Sequence, residues 1–296
     1  MSIPNTDWAW PWWTIMVTIN IVNLIICALV FRKSTLPIGG VESSYRKRMR
    51  IMGLIFTVVG AYRAVFVSRY LSQMAWFDSI LNSSLLIRIF AIAAELSFSG
   101  LIAFALLQVN KDLPAKDNLK SNKIVSFFTK RSPYFLIGCI FIAQFFATSG
   151  LIMKSNTLFA IEETLWSLGF LAVLPLAIIQ VRRVYSLKDK EVIKSLKMLR
   201  QSSVLIVAWC VIYCSYGLFY HLPLESWPSA INQIETGLPA IKTGLSSIVN
   251  AFTIVNESKV YSDWGFGFLF WHSAYFSVCV WISIFLMRAP RIKSKM

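Results

Sequence analysis

Charged side chains inside apolar segments are the residues of this sequence best able to do chemistry. Three arginines and three glutamates lie in stretches long enough to cross a membrane: Arg63, Arg69, Arg88, Glu95, Glu162 and Glu163. A charge at the centre of a bilayer costs about 2.5–3.5 kcal/mol on insertion scales, so such residues normally face the interior of a bundle. Equal numbers of both signs predict ion pairs, either with one another or around a bound ligand or ion.

Histidine adds a seventh candidate residue. His272 lies about two turns into the last apolar segment, and His221 lies at the outer end of the segment before it. A lone histidine in an apolar helix is more often a hydrogen-bonded structural residue than a ligand. Catalytic zinc takes three protein ligands, and the chain has 2 histidines in all. We therefore predict no metal site, although a group of His221, His272 and a glutamate stays open, and the cofactor is unknown.

The composition places these charges in a membrane protein. Hydrophobic residues make up 56% of the 296 residues, charged residues make up 15%, and the mean hydropathy is +0.62. Soluble domains carry about 25% charged residues. The net charge of +15 does not indicate nucleic-acid binding, because its Lys and Arg lie in short connections rather than on one folded surface. The expected partner is the lipid bilayer.

Seven apolar segments predict seven membrane-spanning helices in one all-α domain covering residues 1–296. A span needs about 20 apolar residues, and no cleavable signal peptide is expected before the first one. The predicted helices are 12–31, 49–71, 85–109, 133–153, 158–181, 204–220 and 264–287.

Basic residues orient the predicted bundle. Of the 29 Lys and Arg residues, 23 lie in the three connections 32–50, 110–132 and 182–200 and in the tail that starts at 288. Basic connections stay on the cytoplasmic side of a membrane, which predicts an outside N-terminus and an inside C-terminus. Two glycosylation sequons, at Asn82 and Asn256, fall on the predicted outer side.

All of the charged candidates fall in the middle or outer half of the predicted bundle. This asymmetry favours an outward-facing polar cavity, and the alternative is a set of structural salt bridges that lock helices two, three and five. Arg63 and Glu95 lie at similar depth on neighbouring antiparallel helices, so we predict that they form a pair. Arg88 and Glu95 are seven residues apart and share a helix face.

The long segment before the last helix carries an apolar stripe at helical spacing, which includes Ile241, Leu245, Ile248 and Phe252. Gly237 and Pro239 interrupt the pattern, so we predict a helix over 239–255 that caps the bundle or lies in the headgroup layer. A re-entrant segment is the alternative. All five cysteines lie in apolar spans, which predicts no disulfide framework.

The sequence therefore predicts a multi-pass membrane protein with an outward-facing site that binds a small ligand or ion for transport or for receptor-like sensing. A membrane-embedded enzyme that modifies lipid and a structural subunit whose charges lock its helices stay open as alternatives. A lipid ligand, a homo-oligomer and a larger membrane complex also stay open.

Overall fold

The computed structural model describes residues 9–33, 41–113, 123–187 and 193–291, without the side chains of 41–43, 123–128 and 193–196. Within these ranges the chain is an all-α bundle, in which six helices are long and apolar enough to cross a membrane. These six helices are Trp10–Lys33, Ser84–Asp112, Thr129–Met153, Asn156–Tyr185, Lys197–Thr236 and Phe266–Leu286. The helix Val41–Val65 is also 25 residues long, but basic residues fill part of its first half and it is not among the six.

The helices pack largely in chain order, and the end of the last one packs against the second. In chain order they are α1 Trp10–Lys33, α2 Val41–Val65, α3 Ser84–Asp112, α4 Lys123–Met153, α5 Asn156–Tyr185, α6 Ile193–Tyr216, α7 Trp227–Thr236, α8 Leu245–Thr253, α9 Tyr261–Trp264, α10 Phe266–Ala274 and α11 Val280–Leu286. π-helical turns at Gly217–Ser226 and Tyr275–Cys279 connect α6 to α7 and α10 to α11. Strands Ser68–Arg69 (β1), Met74–Ala75 (β2) and Asn256–Glu257 (β3) form a small sheet in the order β1-β2-β3.

The predicted end of the second helix at residue 71 is wrong, because α2 ends at Val65. From there the chain forms the antiparallel β1–β2 hairpin, and Trp76 N–H donates to the carbonyl of Val67. The amide of Asn82 donates to the same carbonyl at 2.6 Å. These bonds satisfy backbone groups that a continuing helix would have used, and they place Arg69 on a strand.

The sixth helix is much longer than the predicted range 204–220. It continues without a break from Lys197 to Thr236. Pro223 lies in the π-helical turn and lacks the N–H that an α-helical bond would need. The helix ends at Gly237, whose positive φ of 67° suits glycine because it has no Cβ.

The predicted cap helix over 239–255 is shorter and rotated. It covers Leu245–Thr253, and Ser247 and Ala251 form its buried face, whereas Leu245 is 76% exposed and Ile248 is 42% exposed. Leu245 and Ile248 therefore do not pack on the bundle, whereas Phe252 at the other end of the stripe packs against Leu85 and Leu151. Burial of the stripe in a headgroup layer stays a prediction.

The structure also changes the expectations for Pro133 and for the two sequons. The fourth helix begins at Lys123, so Pro133 lies inside it rather than at its N-terminus. The side chain of Asn82 is 1% exposed, so this sequon is inaccessible in the folded chain. The amide of Asn256 is exposed and donates to the carbonyl of Ser72 at 2.8 Å.

Small residues bring α2 close to the last helix. A Cβ added to Gly60 would lie 2.9 Å from Val280 Cγ2, and one added to Gly53 would lie 3.1 Å from the carbonyl oxygen of Ser283. Phe56 points into the core between these positions, with its ring centroid 5.0 Å from that of Phe98. This packing fixes the rotation of α2, and therefore the direction of Arg63 two turns after Phe56.

Candidate functional site

A cavity of about 920 Å³ lies at one end of the bundle, and all seven candidate residues line it. The lining comes from the end of α2 with β1, the first half of α3, the starts of α5 and α10, and the end of α6 with the turn that follows it. These are the helix ends opposite the basic connections. Leu71 and Leu224, which are 38% and 63% exposed, form part of the rim, so the cavity opens to the surface of the molecule at this end.

Arg88 is the centre of a buried polar cluster at the inner part of this cavity. Its guanidinium donates from two nitrogens to the two carboxylate oxygens of Glu95, each at 3.1 Å, and it also donates to Gln144 Oε1. Arg88 Nη1 is 3.6 Å from Glu162 Oε1. Because these residues lie on α3, α4 and α5, the cluster joins three helices.

The predicted Arg63–Glu95 pair is therefore wrong, since Glu95 pairs with Arg88 on its own helix. A separation of seven residues corresponds to about 10.5 Å of helix rise, which the long Arg and Glu side chains bridge along one face. Arg88 is 1% exposed, Glu95 is 7% and Glu162 is 6%. We call these residues together with Gln144 the Arg88 cluster.

Arg63 faces the same cavity without an acidic partner. Its guanidinium carbon lies 4.8 Å from the ring centroid of Phe276 and 5.5 Å from that of Tyr70. Among the described residues, no carboxylate oxygen lies within 4.0 Å of its nitrogens. Ring faces attract a cation but do not neutralise its charge, so Arg63 keeps a full positive charge toward the cavity.

Glu163 occupies another wall of the cavity. Tyr213 donates its hydroxyl to Glu163 Oε2 at 3.3 Å, and His221 Nε2 lies 3.8 Å from Glu163 Oε1. His221 Nδ1 is also 2.8 Å from Glu225 Oε2. The Glu163 side chain keeps 31% of its surface exposed. The histidine therefore lies between two carboxylates at the cavity wall and hydrogen-bonds only Glu225 of the two, and the Glu163 carboxylate still faces open space.

Arg69 and His272 complete the predicted set. Arg69 is at the rim, where Nη1 donates to the carbonyls of Asp263 and Trp264 at 3.3 and 3.2 Å. His272 is 3% exposed and is surrounded by the rings of Trp12, Phe268 and Phe276. In the described part of the chain, no group of three or more His, Cys, Asp or Glu side chains is arranged to hold a metal ion.

Aromatic packing closes the cavity toward the other end of the bundle. Phe98 contacts Phe56 and Trp209, with centroid separations of 5.0 and 5.4 Å. Tyr275, which also lines the cavity, contacts Phe56 at 5.6 Å. The cavity is thus open at the rim and closed by rings at its base.

Several site residues could not be identified from charge alone. Gln144 is the one side-chain amide in the apolar segment 133–153, and an amide at that depth is itself a signal for a buried partner. Tyr70, Tyr213 and Tyr275 carry no charge, and tyrosine is ordinary in apolar helices. Only the fold shows that their hydroxyls belong to residues lining one cavity.

Comparisons of the chain with protein-family models, with curated proteins and with solved structures give no match.

Proposed function

We propose that the protein crosses the membrane seven times, with its N-terminus outside and its C-terminus inside, and that α2 is the seventh span. The concentration of 23 of the 29 basic residues in alternate connections and the tail supports this orientation. Epitope tags at Ser2 and Met296 test it in sealed cells. Opposite accessibility is expected, and protection of both tags on one side would exclude an odd number of spans.

The cavity is the binding site for a small ligand that enters from the outer side, for transport or for sensing. The observation that carries this proposal is that all seven intramembrane candidate residues line one cavity with a rim at the end opposite the basic connections. Charged side chains at membrane depth usually serve a binding or transport site. The ring-packed base separates the cavity from the other half of the bundle, as a receptor or one state of a transporter requires.

Cysteine labelling tests whether the cavity is open to the outside. Gly267 lines the cavity, and a Cβ added there meets no atom within 4 Å, so Gly267→Cys fits without strain. The five native cysteines are free and buried, which keeps the background low. A membrane-impermeant maleimide should label Gly267→Cys in intact cells.

The matched control is Gly138→Cys, on α4 and outside the cavity lining, where an added Cβ also meets no atom within 4 Å. This thiol faces lipid in the proposed orientation and should stay unlabelled. Labelling of Gly267→Cys only after permeabilisation would contradict an outward-facing cavity.

The structural alternative is favoured by one observation, the engagement of both terminal nitrogens of Arg88 by its neighbours. That cluster holds α3, α4 and α5 together, and we assign it the role of a lock within the binding protein. Arg63 and Glu163 have no comparable set of partners, so the lock does not explain them. Uptake of a bound ligand into sealed proteoliposomes separates transport from sensing, because a receptor binds without flux.

A further inference from the structure

Unpartnered polar atoms gather on the side of the cavity near Arg63. The hydroxyls of Tyr70 and Tyr275 and Nε2 of His272 are buried and hydrogen-bond to no residue in the described part of the chain. All three residues line the cavity, as does Arg63. A buried polar group without a partner is destabilising, so this arrangement is unfavourable unless something polar binds there. We call these four residues the Arg63 wall.

Arg63 decides which kind of group fits its wall. A guanidinium offers only donors, and both tyrosine hydroxyls are able to donate. Its contacts with the rings of Phe276 and Tyr70 leave its charge uncompensated. A carboxylate satisfies Arg63 and the two hydroxyls best, because it accepts several hydrogen bonds and a guanidinium fork matches its two oxygens.

The wall around Glu163 has the opposite character. The Glu163 carboxylate accepts from the hydroxyl of Tyr213 and lies 3.8 Å from Nε2 of His221. Its open surface faces a cavity that is also lined by Trp166 and Trp271. The ring centroids of Trp166 and Trp271 each lie 5.9 Å from that of Tyr213. A carboxylate among aromatic faces is suited to an ammonium group, which both the charge and the rings attract.

Aromatic rings connect the two walls. Trp271 contacts Tyr213 on the Glu163 side and Tyr275 on the Arg63 side, with centroid separations of 5.9 and 6.0 Å. Tyr275 then contacts Phe276, at 5.1 Å, against which Arg63 packs. The surface between the charged ends is therefore apolar, as a short hydrocarbon chain requires.

We infer that the cavity binds a small organic zwitterion, with its carboxylate at Arg63, its ammonium at Glu163 and its carbon chain against Trp271. This inference rests on the proposed function of the cavity as an outward-facing binding site. A ligand with one charge would pair with one wall and leave the charge of the other wall without a ligand partner. A zwitterion compensates both charges and adds no net charge at membrane depth.

The experiment uses protection of Gly267→Cys from maleimide by unbranched ω-amino acids of two to eight carbons, in the purified full chain. Each is compared with the alkylamine and the alkanoate of equal chain length. The best amino acid should protect at a concentration at least about tenfold lower than either matched compound, because each lost charge-assisted hydrogen bond costs about 1.5–3 kcal/mol. Equal protection by an alkylamine or by an alkanoate would overturn the inference.

Two variants assign the ends of the ligand. Arg63→Gln should abolish the advantage over the alkylamine, and Glu163→Gln should abolish the advantage over the alkanoate. Lys242→Gln, at an exposed residue outside the cavity lining, is the charge control and should change neither. Retention of both advantages in both variants would overturn the assignment, and the comparison in the unsubstituted background does not depend on how these variants fold.

The outcomes separate this inference from the proposed function. Rapid labelling of Gly267→Cys without protection by any zwitterion would reject the ligand class and leave the open cavity standing. Failure of Gly267→Cys to react from outside would reject the open cavity itself.

Discussion

Arg88 and Arg63 line the same cavity, but their surroundings differ in nearly every respect. Arg88 is 1% exposed and contacts Glu95, Glu162 and Gln144 from three helices. Arg63 is partly exposed, and its guanidinium packs against the rings of Phe276 and Tyr70. The first arginine has both terminal nitrogens engaged by protein acceptors, and the second has no carboxylate within 4.0 Å in the described part of the chain.

Intramembrane charges in this protein are therefore of two kinds. In the Arg88 cluster each carboxylate lies within 4.0 Å of the guanidinium, so its contribution is to helix packing. Arg63 and Glu163 have no such pair within 4.0 Å to a Lys, Arg, Asp or Glu among the described residues, which is why we propose them for binding. The distinction depends on partners and cannot be made from residue type or depth.

Loss of Arg88 should give the largest effect on stability. Arg88→Ala leaves two buried carboxylates without their cation, and removing one partner of a buried pair costs about 3–5 kcal/mol. Thermal unfolding in detergent should show a large loss, or no folded protein. Glu95→Ala, which breaks the same fork, should behave similarly. If both variants were about as stable as the unsubstituted chain, the Arg88 cluster would not hold the helices together.

Tight packing behind the cavity should give the next largest effect. Gly60→Ala places a Cβ 2.9 Å from Val280 Cγ2, and overpacking of this kind costs about 1–3 kcal/mol. The matched control is Gly267→Ala, where an added Cβ meets no atom within 4 Å. Equal unfolding temperatures for the two variants would mean that α2 does not depend on close approach to α11.

Arg63→Ala should lower stability much less than Arg88→Ala. This substitution removes cation–π interactions with Phe276 and Tyr70, and such interactions contribute about 0.5–1 kcal/mol at accessible sites. Thermal unfolding in detergent checks this value. The ratio of the stability lost in Arg88→Ala to that lost in Arg63→Ala measures how far the two arginines differ. A loss for Arg63→Ala as large as that for Arg88→Ala would show that Arg63 also belongs to the lock.

The smallest effect is expected at the outer sheet. A hydrogen bond from Lys259 lowers the pKa of Glu257, and the backbone N–H of Asp78 adds to this. Since the folded-state pKa lies below the unfolded one, this stabilisation is present above about pH 4.3, the ordinary value for Glu, and is lost as the pH falls through the folded pKa. Glu257→Gln should therefore be slightly less stable at neutral pH, with a difference that disappears in acid. An unchanged difference across this range would argue against the ion pair.

The Arg88–Glu95 pair shows how far sequence reasoning reaches. The sequence shows that Arg88 and Glu95 share one face of a helix, and that Arg63 lies at similar depth on the neighbouring helix. Either arginine could therefore pair with Glu95. The choice depends on the rotation of α2, which Gly53 and Gly60 set through close contact with the last helix. A rotation imposed by a distant segment leaves no local pattern in the sequence.

The segment after Tyr216 shows a second limit. Its apolar spacing correctly indicated helical structure around Leu245–Thr253, but spacing does not say which partner an apolar face has. The small residues Ser247 and Ala251 pack against the bundle because they allow close contact, whereas Leu245 is exposed.

Hydropathy and charge along the chain were enough to indicate a multi-pass membrane protein and to locate its intramembrane charges in one half of the bundle, because a bilayer selects residues by their solvent preference. The seven candidate residues chosen on that basis all line one cavity. The pairing of Glu95 with Arg88, the end of α2 at Val65 and the aromatic rings between Arg63 and Glu163 became visible in the folded chain alone. Solvent preference is a property of each residue, whereas pairing depends on which helices meet and how each one is rotated.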